Sequence, residues 1–139
     1  MTVLLVDDEP EVLNIHRLIL INIGCKVITA RNGHEAFKTF ELNPDAIDLI
    51  VTDYDMPVWN GLKLIRAVRN QNDVVPILMV TGFAGYDIIK EAGNLGIDIL
   101  QKPVRTSALV EAIRACGRHH IKNCPNHSEL QDTPLRSTA

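Results

Sequence analysis

The 139-residue sequence is short of several features that would assign it to a particular class of protein. Its apolar runs, such as residues 18–21, are far too short to cross a bilayer. It has no long basic run and a net charge of −3, which argues against a nucleic-acid-binding surface. It has three cysteines, an odd number, which favours reduced thiols over paired disulfides. No signal peptide is visible, because acidic residues 7–9 directly follow the first apolar run. We therefore expect a cytoplasmic protein with reduced thiols that contacts neither membrane nor nucleic acid directly.

Short apolar runs alternate with helical patterns along the chain. Five β-rich runs begin near residues 3, 26, 49, 77 and 97, and apolar residues at helical spacing follow each of them. Most of these runs are apolar throughout, which is typical of parallel strands buried on both faces. The fifth contains Asp98, which favours a position nearer the edge of the sheet. The pattern therefore predicts an α/β fold with five parallel strands and helices on both faces of the sheet.

The helical pattern stops near residue 117. Residues 118–139 are polar, contain two prolines and show no apolar periodicity. We interpret residues 1–117 as one domain and residues 118–139 as a disordered polar tail. The tail is too short to bury a core of its own, so the chain either works through partners or is a fragment of a longer protein.

Polar residues stand at the predicted ends of four strands. Asp7 and Asp8 end the first strand, Asp53 the third and Thr81 the fourth, and Lys102 follows the fifth. In an open parallel sheet, ligands bind outside the carboxyl ends of the strands. Three carboxylates packed there repel each other unless a cation neutralises them. Oxygen ligands with room for water favour Mg²⁺ (or Mn²⁺) over zinc or a calcium cage.

One carboxylate of this cluster can act as a nucleophile toward a phosphoryl group. Asp53 is the best candidate because it ends the central buried strand. Lys102 can pair with the phosphoryl group, and Thr81 can donate a hydrogen bond to it. A single aspartate at a strand end is more often a helix cap or a solvated charge. The combination of acids, hydroxyl and lysine in this strand order favours function.

Four short motifs resemble those of the receiver domain of two-component response regulators, including chemotaxis regulators, over roughly residues 2–117. They are Val-Asp-Asp-Glu-Pro at 6–10, Asp-Tyr-Asp-Met-Pro at 53–57 with Gly61, Val-Thr-Gly at 80–82, and Lys-Pro at 102–103. The resemblance implies a flavodoxin-like doubly wound fold with strand order 2-1-3-4-5. It also implies a signalling phosphoacceptor, which catalyses only its own phosphorylation and slow dephosphorylation, rather than an enzyme.

The resemblance implies a role for each residue of the site. Asp53 is expected to be the phosphoacceptor. Asp8 is expected to bind Mg²⁺ directly, Asp7 through water, and Asp55 through its backbone carbonyl. The bond between Lys102 and the proline after it is expected to be cis.

The same resemblance implies partners and a route for the signal. Thr81 and Lys102 match the residues that contact the phosphoryl group. The phosphodonor is expected to be a sensor histidine kinase or a histidine phosphotransfer protein. The surface of helix 4, strand 5 and helix 5 is expected to pass the signal to a downstream protein partner. Ile99 stands where relatives usually have an aromatic residue that rotates on activation, and Ile has no ring to rotate.

Two alternatives to a phosphorylated receiver stay open at this stage. One is a receiver-shaped binding module that is never phosphorylated. The other is a phosphohydrolase with an aspartyl nucleophile of the haloacid-dehalogenase type, whose two-carboxylate motif is imitated by Asp53 and Asp55. The hydrolase is less favoured, since a separate pair of aspartates ends the first strand here.

Two aromatic side chains have a structural interpretation. His16 falls on an apolar helix face, which favours a packed core histidine over a metal ligand. Trp59, the one tryptophan, lies in the loop after Asp53 and is expected to pack against that loop and the third helix.

Overall fold

The computed structural model describes residues 1–72, 74–82 and 85–122, with side chains described up to residue 116. Five strands alternate with five helices over this part of the chain. In order they are β1 (Thr2–Val6), α1 (Pro10–Asn22), β2 (Lys26–Ala30), α2 (Gly33–Leu42), β3 (Leu49–Asp53), α3 (Gly61–Gln71), β4 (Ile77–Thr81), α4 (Tyr86–Asn94), β5 (Asp98–Gln101) and α5 (Thr106–Lys122).

The strands form one parallel sheet in the order β2-β1-β3-β4-β5. β3 and β4 lie inside the sheet and are buried along their whole length. β5 lies at one edge and is exposed at both of its ends. The flavodoxin-like α/β fold predicted from the sequence, including its strand order and its edge strand, is confirmed.

The sheet separates two apolar cores because successive side chains of a strand point to opposite faces. In β1, Leu4 and Val6 belong to one core, and Val3 and Leu5 belong to the other. The first core is completed mainly by residues of α2 and α3, and the second by residues of α1 and α5. This two-sided burial explains why β1, β3 and β4 are apolar without interruption.

The end of the chain differs in one respect from the sequence interpretation. α5 continues to Lys122 and so includes the first residues after the predicted boundary at residue 117. The remaining part of the predicted tail, residues 123–139, lies outside the described residues, and its disorder stays a prediction. No helix in the described part of the chain combines the length and apolar character that a membrane span needs.

Two residues of α2 test the importance of the buried core. Phe40 is 0% exposed, whereas Leu42 is 82% exposed in the same helix. We expect Phe40→Ala to lower the free energy of unfolding by about 3–5 kcal/mol, because it removes a buried ring and leaves a cavity. Leu42→Ala should change it by no more than about 0.5 kcal/mol. Urea denaturation measures both, and similar losses in the two variants would contradict this packing.

Candidate metal and phosphoacceptor site

The acidic cluster is formed by the carboxyl ends of two neighbouring strands. Val6 of β1 pairs with Thr52 of β3, so the next residues, Asp7 and Asp53, lie next to each other at the ends of the two strands. One carboxylate oxygen from each of Asp7, Asp8 and Asp53 lies within 4.8 Å of the others. Asp7 and Asp53 are only 4% and 3% exposed, and Asp8 is half-buried. The structure thus brings together the three acids that the sequence predicted as metal ligands.

Lys102 supplies the positive charge of the site. Its Nζ lies 3.1 Å from Oδ1 of Asp53. Its backbone N–H donates to the carbonyl of Thr81 at 2.8 Å, which ties the start of the β5–α5 loop to the end of β4. The Lys102–Pro103 peptide bond is cis, as the resemblance implied. The lysine therefore reaches the phosphoacceptor candidate directly.

Thr81 and Asp55 lie at the same edge of the sheet. Asp53 pairs with Val80, and buried Thr81 is the next residue of β4. The N–H of Asp55 approaches Oδ1 of Asp53 at 3.4 Å, while the Asp55 side chain is exposed. Both residues are therefore placed where the sequence predicted. Their contacts with a phosphoryl group or a metal ion stay predictions.

Two carboxylates of the cluster, Asp7 and Asp53, hold protons more tightly than an ordinary aspartate. Burial raises the pKa of Asp7 to about 6, and the charges of Asp53 and Asp8 add to the effect. A hydrogen bond from the Glu9 N–H, at 2.9 Å, and the charge of Lys102 act in the opposite direction. Burial also raises the pKa of Asp53, despite its hydrogen bond and ion pair with Lys102.

Lys102 responds to the same charges. Burial lowers the pKa of its ammonium, but the hydrogen bond and charge of Asp53 outweigh that effect and raise it overall. The charges of Asp7 and Glu9 act in the same direction. One ammonium therefore faces an excess of carboxylates, which is the electrostatic setting in which a protein binds a divalent cation.

A glycine allows the β3–α3 loop to close against the acidic strand. A Cβ atom on Gly61 would lie 2.6 Å from the carbonyl oxygen of Asp53 and 2.9 Å from the Cα of Tyr54. The N–H of Gly61 donates to the Tyr54 carbonyl at 2.8 Å. Because these neighbours are backbone atoms that cannot move aside, this position needs glycine. The sequence motif contained Gly61, but the sequence did not reveal this contact.

A cavity beside the acidic cluster was not predicted. It lies between α1 and the β5–α5 loop and has a volume of about 500 Å³. Burial and the charge of Lys102 lower the pKa of half-buried His16, which faces this cavity instead of packing fully into the core. Its lining is mostly apolar, with a few ionisable side chains: Glu9, Val12, Ile15, His16, Lys102, Pro103 and Val104.

The sequence matches a known protein family over most of its length. Residues 3–114 match the model of the response regulator receiver domain. The two-component response regulator ORR24 of Oryza sativa subsp. indica is 32% identical over 126 residues, which cover 89% of this chain. The chain spans 20% of the length of that relative and 24% of the transcriptional regulatory protein GlrR of Escherichia coli.

Solved structures agree with this match. The chemotaxis response regulator CheY4 of Vibrio cholerae is 30% identical with a TM-score of 0.75, covering 83% of this chain and 97% of that one. A CheY-like receiver domain protein from Methanospirillum hungatei is 27% identical with a TM-score of 0.82, covering 87% and 96%. The family model, the relatives and the site geometry agree, and the chain belongs to the response regulator receiver domain family.

Proposed function

We propose that this chain is a cytoplasmic phosphorylation switch that accepts a phosphoryl group on Asp53 from a sensor histidine kinase or a histidine phosphotransfer protein. As a receiver domain it is a signalling module rather than a true enzyme. One observation carries the proposal: the buried carboxylate of Asp53 lies within reach of two further carboxylates and 3.1 Å from the Lys102 ammonium. A lone structural aspartate needs none of these neighbours.

The donor atoms of the cluster fit a hard divalent cation. They are carboxylate oxygens, which suit Mg²⁺ or Mn²⁺ better than zinc. Asp8 and Asp53 would hold the ion directly and Asp7 through water, and the backbone carbonyl of Asp55 is the proposed third direct protein ligand. When bound, such an ion offsets negative charge on the phosphoryl oxygens. Burial raises the pKa values of Asp7 and Asp53, and the charge of Asp8 adds to the effect at both, so a cation bound there would offset part of the cost of ionising them.

The remaining residues have roles in the transfer itself. An oxygen of Asp53 forms the new bond to phosphorus while the bond between phosphorus and the donor imidazole nitrogen breaks. The leaving imidazole takes up a proton from solvent. The ammonium of Lys102, already paired with Asp53, stays beside the acyl phosphate and pairs with its oxygens. The Thr81 hydroxyl donates to another phosphoryl oxygen and so favours the phosphorylated state.

The added charge is proposed to act on the surface of α4, β5 and α5. Ala92 is the one described residue of α4 that is fully buried, and Tyr86 is 70% exposed. Because few side chains of α4 are buried, a shift of the helix disrupts few packing contacts and costs little free energy. Ile99 is half-buried and packs, like Ile88 of α4, against the core beneath the helix. We propose that aliphatic packing at Ile99 replaces the aromatic rotation used by relatives.

Asp7 makes the stability of the metal-free protein depend on pH. Its pKa is about 6 in the folded protein and 3.8 in an ordinary aspartate, so between these values the folded state binds the proton more tightly. Its contribution to stability is therefore lost as pH rises through this range. We expect the stabilisation of Asp7→Asn relative to wild type to grow from about pH 4 to about pH 6, reaching roughly 1–3 kcal/mol.

Urea denaturation in the presence of EDTA measures this difference. Asp45→Asn, at an exposed position between α2 and β3, serves as the control and should show no such trend. A pH-independent difference between Asp7→Asn and wild type would contradict the raised pKa of Asp7. Excess Mg²⁺ should stabilise wild type more than Asp7→Asn, because the variant has lost one of the proposed ligands.

The phosphoacceptor is tested by labelling with acetyl phosphate and Mg²⁺, followed by intact mass measurement. Wild type should gain one phosphoryl group, and Asp53→Asn or added EDTA should abolish the gain, because the nucleophile or the ion is missing. Asp55→Asn is a close control that keeps the backbone carbonyl and should still be labelled. An unlabelled wild type would support the non-phosphorylated binding module, and labelled Asp53→Asn would place the phosphoacceptor elsewhere.

A further inference from the structure

The ring of Trp59 fastens the β3–α3 loop, residues 54–60, to the neighbouring helix α2. Its centroid lies 5.5 Å from that of His34 in a T-shaped arrangement and 5.6 Å from that of Phe37. The Nζ of Lys63, from α3, lies over the ring at 4.9 Å. Ring pairs in such arrangements stabilise the fold beyond the effect of their buried area. The main support of the ring is therefore α2, which the sequence interpretation did not include.

The backbone of the loop also rests directly on α2. A Cβ atom on Gly33, the first residue of that helix, would lie 2.7 Å from the Cβ of Trp59 and 2.9 Å from its carbonyl oxygen. The N-terminus of α2 is itself fixed, because the Asn32 side chain accepts a hydrogen bond from the Glu35 N–H at 2.8 Å. The tip of the loop, at Trp59, therefore packs closely against the backbone of Gly33.

Other contacts also restrict the backbone of the loop between Gly33 of α2 and the end of β3. At its base, Gly61 is pressed against Asp53 and donates to Tyr54, as described above. Near its tip, the Trp59 N–H donates to the Pro57 carbonyl at 2.8 Å, and Val58 has a φ of +70°. A β-branched residue adopts such a φ only where its surroundings enforce it. The loop is therefore held at both ends.

We propose that Trp59 is a positioning residue for the metal site. Asp55 lies between the two anchored ends of the loop, so the contact of Trp59 with α2 keeps the Asp55 backbone beside the carboxylates. Without the ring, the loop has to be ordered when the ion binds, and the lost conformational entropy weakens binding. The inference rests on the proposed cation binding, and it assigns α2 a part in that binding.

Calorimetric titration of the metal-free protein with Mn²⁺ tests the role of Trp59 without using phosphorylation. Trp59→Ala should weaken Mn²⁺ binding by about tenfold, the lower end of the losses seen when groups that orient metal ligands are removed. Trp59→Phe keeps an aromatic ring between His34 and Phe37, so its affinity should lie between those of wild type and Trp59→Ala.

Gly33→Ala tests the same contact from the α2 side and leaves Trp59 intact. Alanine favours a helix more than glycine does, so α2 itself is not weakened. The added methyl group nevertheless meets the loop backbone, and Mn²⁺ binding should weaken. Gly93→Ala is the matched control in α4, because a Cβ atom there meets nothing within 4 Å, and it should bind Mn²⁺ like wild type.

A second control separates positioning from a general loss of stability. Leu109→Ala removes a buried side chain from the core on the α1 and α5 side of the sheet, so it should destabilise the fold and leave the Mn²⁺ affinity unchanged. If neither Trp59→Ala nor Gly33→Ala changes the affinity for Mn²⁺, the positioning role of Trp59 is overturned and the metal site itself is not. Absence of Mn²⁺ binding in wild type would overturn the metal site, and this inference with it.

Discussion

Repulsion among carboxylates at one edge of the sheet is the constraint on which the rest of the site depends. The parallel pairing of β1 with β3 leaves Asp7 and Asp53 side by side, and both are buried. Water cannot screen these charges well, and Lys102 neutralises only part of them. The fold holds the acids together through backbone contacts that do not depend on charge, such as the close approach of Gly61 to Asp53. The surplus negative charge makes the site receptive to a divalent ion.

Helix α4 is joined to α3 near its C-terminal end. Near the C-terminal end, Glu91 pairs with Arg66 of α3, and the carbonyl of Leu95 accepts a hydrogen bond from Arg69 at 2.9 Å. The N-terminal end begins after Gly85, close in sequence to Thr81, with Tyr86 exposed. Contacts with α3 therefore hold the C-terminal end of α4.

The fold and the acidic cluster could be predicted because both depend on local patterns. Uninterrupted apolar runs identify buried parallel strands, and the carboxyl ends of those strands meet at one edge. The remaining features depend on contacts between distant residues that no local pattern encodes. The seating of Trp59 on Gly33 requires the distance between α2 and the loop after β3. The cavity at His16 likewise forms only when the β5–α5 loop lies across from α1.

The most direct test of this account is the position of a bound metal ion in the folded protein. Crystals grown with Mn²⁺ and measured for anomalous scattering locate the ion without assumptions about its ligands. We predict one strong anomalous peak between the carboxylates of Asp7, Asp8 and Asp53, within coordination distance of the Asp55 carbonyl oxygen. A peak at another place, or a cluster without bound Mn²⁺ at saturating concentration, would contradict the account.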